Sequence, residues 1–172
     1  MADPNEPYTV FTSSQVKLIV GITCLAGTLS GLSANIYFPA LGAIQRDLNT
    51  TTQAVNLTVT VYLIFQALSP TFWGSLADKW GRRPVYILTL SIYIGACIGL
   101  ALTPVYWLLL VLRMLQPFGS SSTIAIGAGV VGDVVESSKR GGYYGITNAA
   151  QLLGIIIGPV IGGIMAEELS WR

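Results

Sequence analysis

Gly74-Ser75-Leu76-Ala77-Asp78-Lys79-Trp80-Gly81-Arg82-Arg83-Pro84 is the stretch on which the fold turns. It sets four charges between two runs, 48–77 and 84–112, that hold none. Each run can house a membrane-spanning helix of about 20 residues, so the stretch reads as a very short loop at a membrane surface. Its residue types suit that place. Gly74 lets another helix come close to the end of the span that carries it. Gly81 permits a tight turn, and Pro84 suits the first turn of the next helix. Asp78 beside Arg82 and Arg83 is able to form a charge cluster.

The same pattern extends in both directions. Further charge-free runs cover 18–45, 114–132 and 141–166. With 52% hydrophobic residues, 10% charged residues and a mean hydropathy of +0.64, the 172-residue chain is more apolar than a soluble domain of its length needs to be. Its solvent is expected to be lipid. A soluble α/β domain would instead show apolar runs of roughly 4–8 residues between polar turns. The net charge of +1 gives no sign of a nucleic-acid partner. Cys24 and Cys97 lie inside apolar runs, where a free thiol behaves as a small hydrophobe. The chain has no histidine, which removes the commonest general base and metal ligand, and neither metal nor cofactor is expected.

Five spans are predicted, at about 18–41, 55–76, 85–102, 106–132 and 143–166. No charge divides the third from the fourth, but 84–132 is too long for one crossing. Thr103-Pro104 followed by Tyr106-Trp107 supplies a turn and an interfacial aromatic pair. Residues 1–16, with Asp3, Pro4, Glu6 and Pro7, lack the basic start of a cleavable signal and read as a cytoplasmic tail. Residues 17–172 form one membrane unit. On this orientation the inner segments carry Lys17, Lys79, Arg82, Arg83, Lys139 and Arg140 and the outer ones Arg46 and Arg172, as the positive-inside rule requires.

Two spans carry further signals. Arg113 falls roughly 13 Å into the fourth at 1.5 Å per residue, near the bilayer midplane. A charge there is costly and marks a functional candidate facing a cavity or a partner; the plainer alternative is an arginine snorkelling to the interface. In the fifth span Gly154, Gly158 and Gly162 recur every four residues, with Pro159 and Gly163 beside them. The glycines make a smooth stripe for close packing and the proline invites a bend. Asn35, Tyr37, Gln66 and Gln151 are candidates to line a substrate cavity, although a lone polar residue in a span serves as often in a helix-to-helix hydrogen bond.

Taken together these motifs resemble the major facilitator superfamily, over nearly all of the chain after residue 17. The stretch 74–84 is similar to the family's signature loop. That resemblance implies a conformational latch at Gly74, Asp78, Gly81, Arg82 and Arg83, with Asp133 as the acidic partner at the inner end of the fourth span. Leu109, Arg113 and Gln116 resemble the family's helix 4 motif, whose arginine is associated with proton coupling; here Pro117 stands where the family has glycine. Gly154, Gly158, Pro159, Gly162 and Gly163 resemble the antiporter motif of the drug:proton branch, where the glycine face helps seal or hinge two halves. Asn35 to Leu41 resembles that branch's helix 1 signature, with Gly42 in place of a common second proline. Within the branch, the runs from Arg113 to Ser122 and from Gly127 to Asp133 look most like fungal quinidine-resistance, polyamine and dityrosine exporters.

The resemblance implies an all-α membrane protein of six-plus-six helices, of which this chain holds five and stops before helix 6, at Ser170-Trp171-Arg172. The expected function is proton-coupled export of drugs or polyamines by alternating access, in the plasma or vacuolar membrane. The expected partners are lipid, a small organic substrate, protons and a C-terminal half. Without that half the glycine stripe and the latch would lack their opposing surfaces, and the chain would not transport alone. The alternative is a truncated, non-transporting protein that associates with a full-length homologue. An intramembrane enzyme is disfavoured, because the predicted spans contain no histidine, aspartate or glutamate. The same lack limits proton coupling: a proton-binding carboxylate must be Asp133, Glu136 or a group of the other half.

Overall fold

The computed structural model describes residues 11–168, and all regular structure among them is α-helical. The elements are α1 (Ser13–Asn35), α2 (Leu41–Asp47), α3 (Thr52–Trp80), α4 (Arg82–Leu102), α5 (Tyr106–Ser120), α6 (Ser122–Val134) and α7 (Arg140–Glu168). Taking α5 and α6 as one broken rod, Tyr106–Val134, five helices are long and apolar enough to cross a membrane.

Burial follows the logic of a lipid solvent. On α1 the large aliphatics Leu18, Ile22, Leu25 and Leu29 form an exposed stripe, while Ala26, Gly27, Ser30, Gly31 and Ser33 face inward. In water that stripe would be the core; in hydrocarbon it costs nothing to expose, and small residues bring the backbones together instead. The closest approach is between α1 and α7. A Cβ on Gly158 would stand 2.9 Å from the Asn35 Cβ, one on Gly162 3.1 Å from the Ile36 Cα, and one on Gly31 3.3 Å from the Ile155 nitrogen. The Thr28 hydroxyl crosses this seam to the Ala150 carbonyl at 2.9 Å. The stripe Gly154-Gly158-Gly162 is thus covered by α1 of the same chain, so the expectation that it lacks an opposing surface does not hold. Gly163 stands beside the seam, with only the Pro39 Cβ at 4.0 Å.

The helix ends depart from the predicted spans for local reasons. The first span is expected to start at 18 but starts at Ser13, because Thr12 and Gln15 form a reciprocal capping box. It is expected to reach 41 but ends at Asn35. Pro39 has no N–H to donate and disfavours helical backbone in Phe38, and the chain passes through a turn in which Ala40 N–H bonds the Tyr37 carbonyl at 3.1 Å. The short α2 that follows is not anticipated. α3 starts on a Thr51 cap, three residues ahead of the predicted 55, and α4 starts directly after Gly81, whose φ of 91° is a conformation glycine adopts freely. The fourth span breaks at Ser121. There Pro117 removes a backbone donor, and Ser121, Ser122 and Thr123 return their hydroxyls to carbonyls of the preceding turn at 2.6–2.7 Å. Ser170-Trp171-Arg172 and residues 1–10 lie outside the described residues.

Candidate functional site

Two clusters bring the predicted residues together. The first lies where α3 turns into α4. The Arg82 guanidinium reaches back across the Gly81 turn to Asp78 in the last turn of α3, at 3.1 Å, and to Asp133 at the end of α6, at 3.2 Å. It lies flat across α6 because residue 129 is glycine: a Cβ there would fall 2.6 Å from the Arg82 Cζ. Gly129 is a supporting residue the sequence reading does not single out; its place, one turn before Asp133, is the signal that could have found it. Two other predicted members stand apart. Arg83 is exposed and in no ion pair among the described residues. Gly74 has open space where a Cβ would go, so no helix of this chain uses the approach it offers. Beyond α6, Glu136 pairs with Lys139 at 3.3 Å, and the Arg140 Nε donates to the Val135 carbonyl at 2.9 Å.

The second cluster is buried in the middle of the bundle. Arg113 is 3% exposed. Its Cζ lies 3.2 Å above the Tyr37 ring centroid and 5.0 Å from that of Tyr62, and its Nη1 donates to the Gln116 Oε1 at 2.7 Å. The Gln116 amide nitrogen in turn reaches the Cys97 thiol at 3.5 Å, and the Tyr37 hydroxyl is bonded to that of Thr58 at 2.9 Å. This geometry rules out the snorkelling alternative, since the head group is folded inward against rings. α5 starts at Tyr106, where the fourth span is predicted to start, and Arg113 is seven residues past it, so its depth along the axis is about 10 Å and not roughly 13 Å. Burial, rather than midplane position, is what isolates it. The turn after Asn35 makes the stack possible, because a helix continued to 41 would carry Tyr37 onward along α1.

Around this arginine α1, α3, α5 and α7 leave a cavity of about 290 Å³, and all four predicted lining residues, Asn35, Tyr37, Gln66 and Gln151, border it with Arg113. The Asn35 amide is turned back to the Gly31 carbonyl at 2.8 Å. Tyr62, missed in the sequence because a tyrosine in an apolar run looks like any other span residue, borders it too. Three prolines act on its wall. Pro70, Pro117 and Pro159 have no N–H for the carbonyl four residues earlier. Those carbonyls belong to Gln66, Arg113 and Ile155, all cavity residues. A second cavity of about 190 Å³ lies across the Tyr37–Arg113 stack, against Ser33, Cys97 and Gln116. Within the bundle Asp78, Asp133, Glu167 and Glu168 all stand at helix ends, and no carboxylate is within ion-pair distance of Arg113 among the described residues.

Residues 23–172 match the model of the Major Facilitator Superfamily. The chain is 47% identical to Citrate exporter 1 of Aspergillus niger over 96% of its own length and 32% of that relative's. It is 41% identical to Multidrug transporter QDR2 of Candida glabrata, over 96% of the chain and 28% of the relative. With Quinidine resistance protein 1 of Saccharomyces cerevisiae the identity is 40%, over 96% of the chain and 30% of the relative. The chain therefore spans about a third of the length of the relatives it matches. Five apolar helices, a charge cluster where two of them turn and a match running through all of them lead to one assignment: this integral membrane chain belongs to the major facilitator superfamily.

Proposed function

We propose that these helices form part of a secondary transporter that exports small organic compounds by proton-coupled alternating access. The observation that carries this reading is the cavity around Arg113, walled by four helices and lined by polar and apolar side chains together, which suits a small organic molecule in transit. The names of the relatives span a citrate exporter, a multidrug transporter and a quinidine resistance protein, which supports export but leaves the compound open. Polyamines fit this cavity poorly, because none of its lining residues is acidic and one, Arg113, is a cation. Since the chain spans a third of its relatives, the proposal concerns the full-length carrier of which these spans are a part, completed by a second bundle.

In this reading the α3–α4 turn faces the cytoplasm, in the plasma or vacuolar membrane, on the strength of six basic residues near that end against two near the other. The Asp78–Arg82–Asp133 cluster acts as a conformational latch rather than as a ligand site, because it lies at the end of the bundle, away from the cavity. Arg113 and Gln116 couple the cavity to the driving ion. No carboxylate lines the cavity, so the proton is carried by Asp133, Glu136 or a group of the second bundle. The experiment is efflux from proteoliposomes containing the full-length carrier, with and without a pH gradient. Gradient-stimulated, saturable efflux is expected. Asp78→Asn should lower its maximal rate severalfold with substrate affinity kept, and an equal loss of directly measured binding would count against the latch.

A further inference from the structure

We infer that the compound taken up by this cavity is an organic anion whose carboxylate is received by Arg113; the inference rests on the transport reading above. A buried charge normally has an opposite charge beside it, because the cost of taking it out of water must be offset. Arg113 is buried against aromatic rings and the Gln116 amide and has none among the described residues. What surrounds it is arranged to hold the cation without neutralising it. Tyr37 takes the face of the guanidinium at 3.2 Å, and Gln116, a neutral amide, takes one Nη1 proton at 2.7 Å. Stacking uses the face and leaves the edge, which is where a planar carboxylate pairs side by side. On that edge the Nε proton is buried with no partner among the described residues.

The cavity that Arg113 lines shows the same preference. Its other polar contributors, Asn35, Gln66, Gln151 and the two tyrosines, are neutral, and the rest of its wall is apolar. An ammonium-bearing compound would meet a fixed cation and no acid. An anion with a compact apolar body would find a charge-assisted hydrogen bond at one end and hydrocarbon or aromatic surface around the remainder. The same residues also explain how such an anion could leave. A permanent carboxylate beside Arg113 would hold the cation and block the site, whereas Tyr37 and Gln116 stabilise the guanidinium just enough for it to stand alone between cycles.

Counterflow in proteoliposomes of the full-length carrier tests this, with labelled benzoate, succinate, spermidine and quinidine as probes. Benzoate or succinate exchange is expected to saturate. Arg113→Lys, which keeps the charge but loses the planar fork, should raise half-saturation tenfold or more. Arg113→Gln should abolish exchange, with melting in detergent unchanged or improved in both variants. Exchange of spermidine or quinidine with no exchange of either anion, and no competition by them, would overturn the anion class while leaving transport intact. Anion exchange that survives Arg113→Gln would remove Arg113 from the site. A folded carrier that moves none of the four probes would overturn both this inference and the transport reading.

Discussion

Arg82 and Arg113 are two arginines of one bundle under opposite terms. Arg82 is 31% exposed and is flanked by two carboxylates, themselves 65% and 59% exposed. Arg113 is 3% exposed and has no acid beside it among the described residues. If ion pairing served stability alone the arrangement would be reversed, since an exposed pair is worth about 0–1 kcal/mol, while an unpaired buried charge costs several. The difference fits the proposed roles, in which Arg82 grips partners weakly enough to release them when the helix ends move and Arg113 stands unpaired for a partner that arrives.

The sharpest way to break this comparison is to give Arg113 the acid it lacks. Gln116→Glu is nearly isosteric and sets a carboxylate where the amide oxygen now accepts Nη1 at 2.7 Å. A hydrogen bond to a charged group is worth ~1.5–3 kcal/mol, so melting in detergent should rise by that order. Anion exchange should fall roughly 10- to 100-fold, because an arriving carboxylate must displace an internal one of the same strength at ~1.4 kcal/mol per tenfold. A variant that transports normally would mean that Arg113 has spare capacity and is not the receiving group.

Much of this was legible in the sequence, and the parts that were not share a cause. The five spans and the pairing of Asp78, Arg82 and Asp133 follow from where charge is absent and where it gathers, which one-dimensional reading handles well. Asn35, Tyr37, Gln66 and Gln151 were found as polar residues in apolar runs. That they meet at one cavity with Arg113 depends on the turn that Pro39 forces after Asn35. Tyr62 and Gly129 were missed because each matters through a contact with an arginine about 50 residues away, which no local pattern encodes. The glycine stripe was correctly read as a packing face, but its partner was placed in another half when it is α1. The Thr12–Gln15 capping box was in plain view and marks the true start of α1.

Gly129→Ala tests the other arginine with a smaller effect. The added methyl would fall 2.6 Å from the Arg82 Cζ, and since that is the end of a long flexible side chain, Arg82 should swing away rather than α6. Helix propensity gains up to ~1 kcal/mol and the exposed ion pairs lose about as much, so melting should hardly change. The maximal export rate should drop roughly 3- to 10-fold, the scale of a ~0.7–1.4 kcal/mol shift between two conformations. Half-saturation should stay put. A shift in half-saturation instead would tie Arg82 to substrate and erase the contrast with Arg113.

The smallest effect is expected next door, at Arg83. Its charge, loop and side-chain length are those of Arg82, and the family resemblance puts both in the latch. One residue along a helix is a rotation of about 100°, however, and this carries Arg83 out to solvent while Arg82 reaches across to α6. An exposed arginine without an ion pair is screened by salt within about 8 Å under physiological conditions. Its charge still counts among six basic residues at that end, but five remain to hold the orientation. Arg83→Gln should therefore leave export rate and half-saturation within about twofold of the parent, whereas Arg82→Gln, losing both carboxylates at once, should fall at least as far as Gly129→Ala. The two variants, assayed in the same vesicles, isolate placement from charge. Equal losses would mean that the loop works as a diffuse basic patch, and the specific pairing of Arg82 with Asp78 and Asp133 would no longer explain the latch.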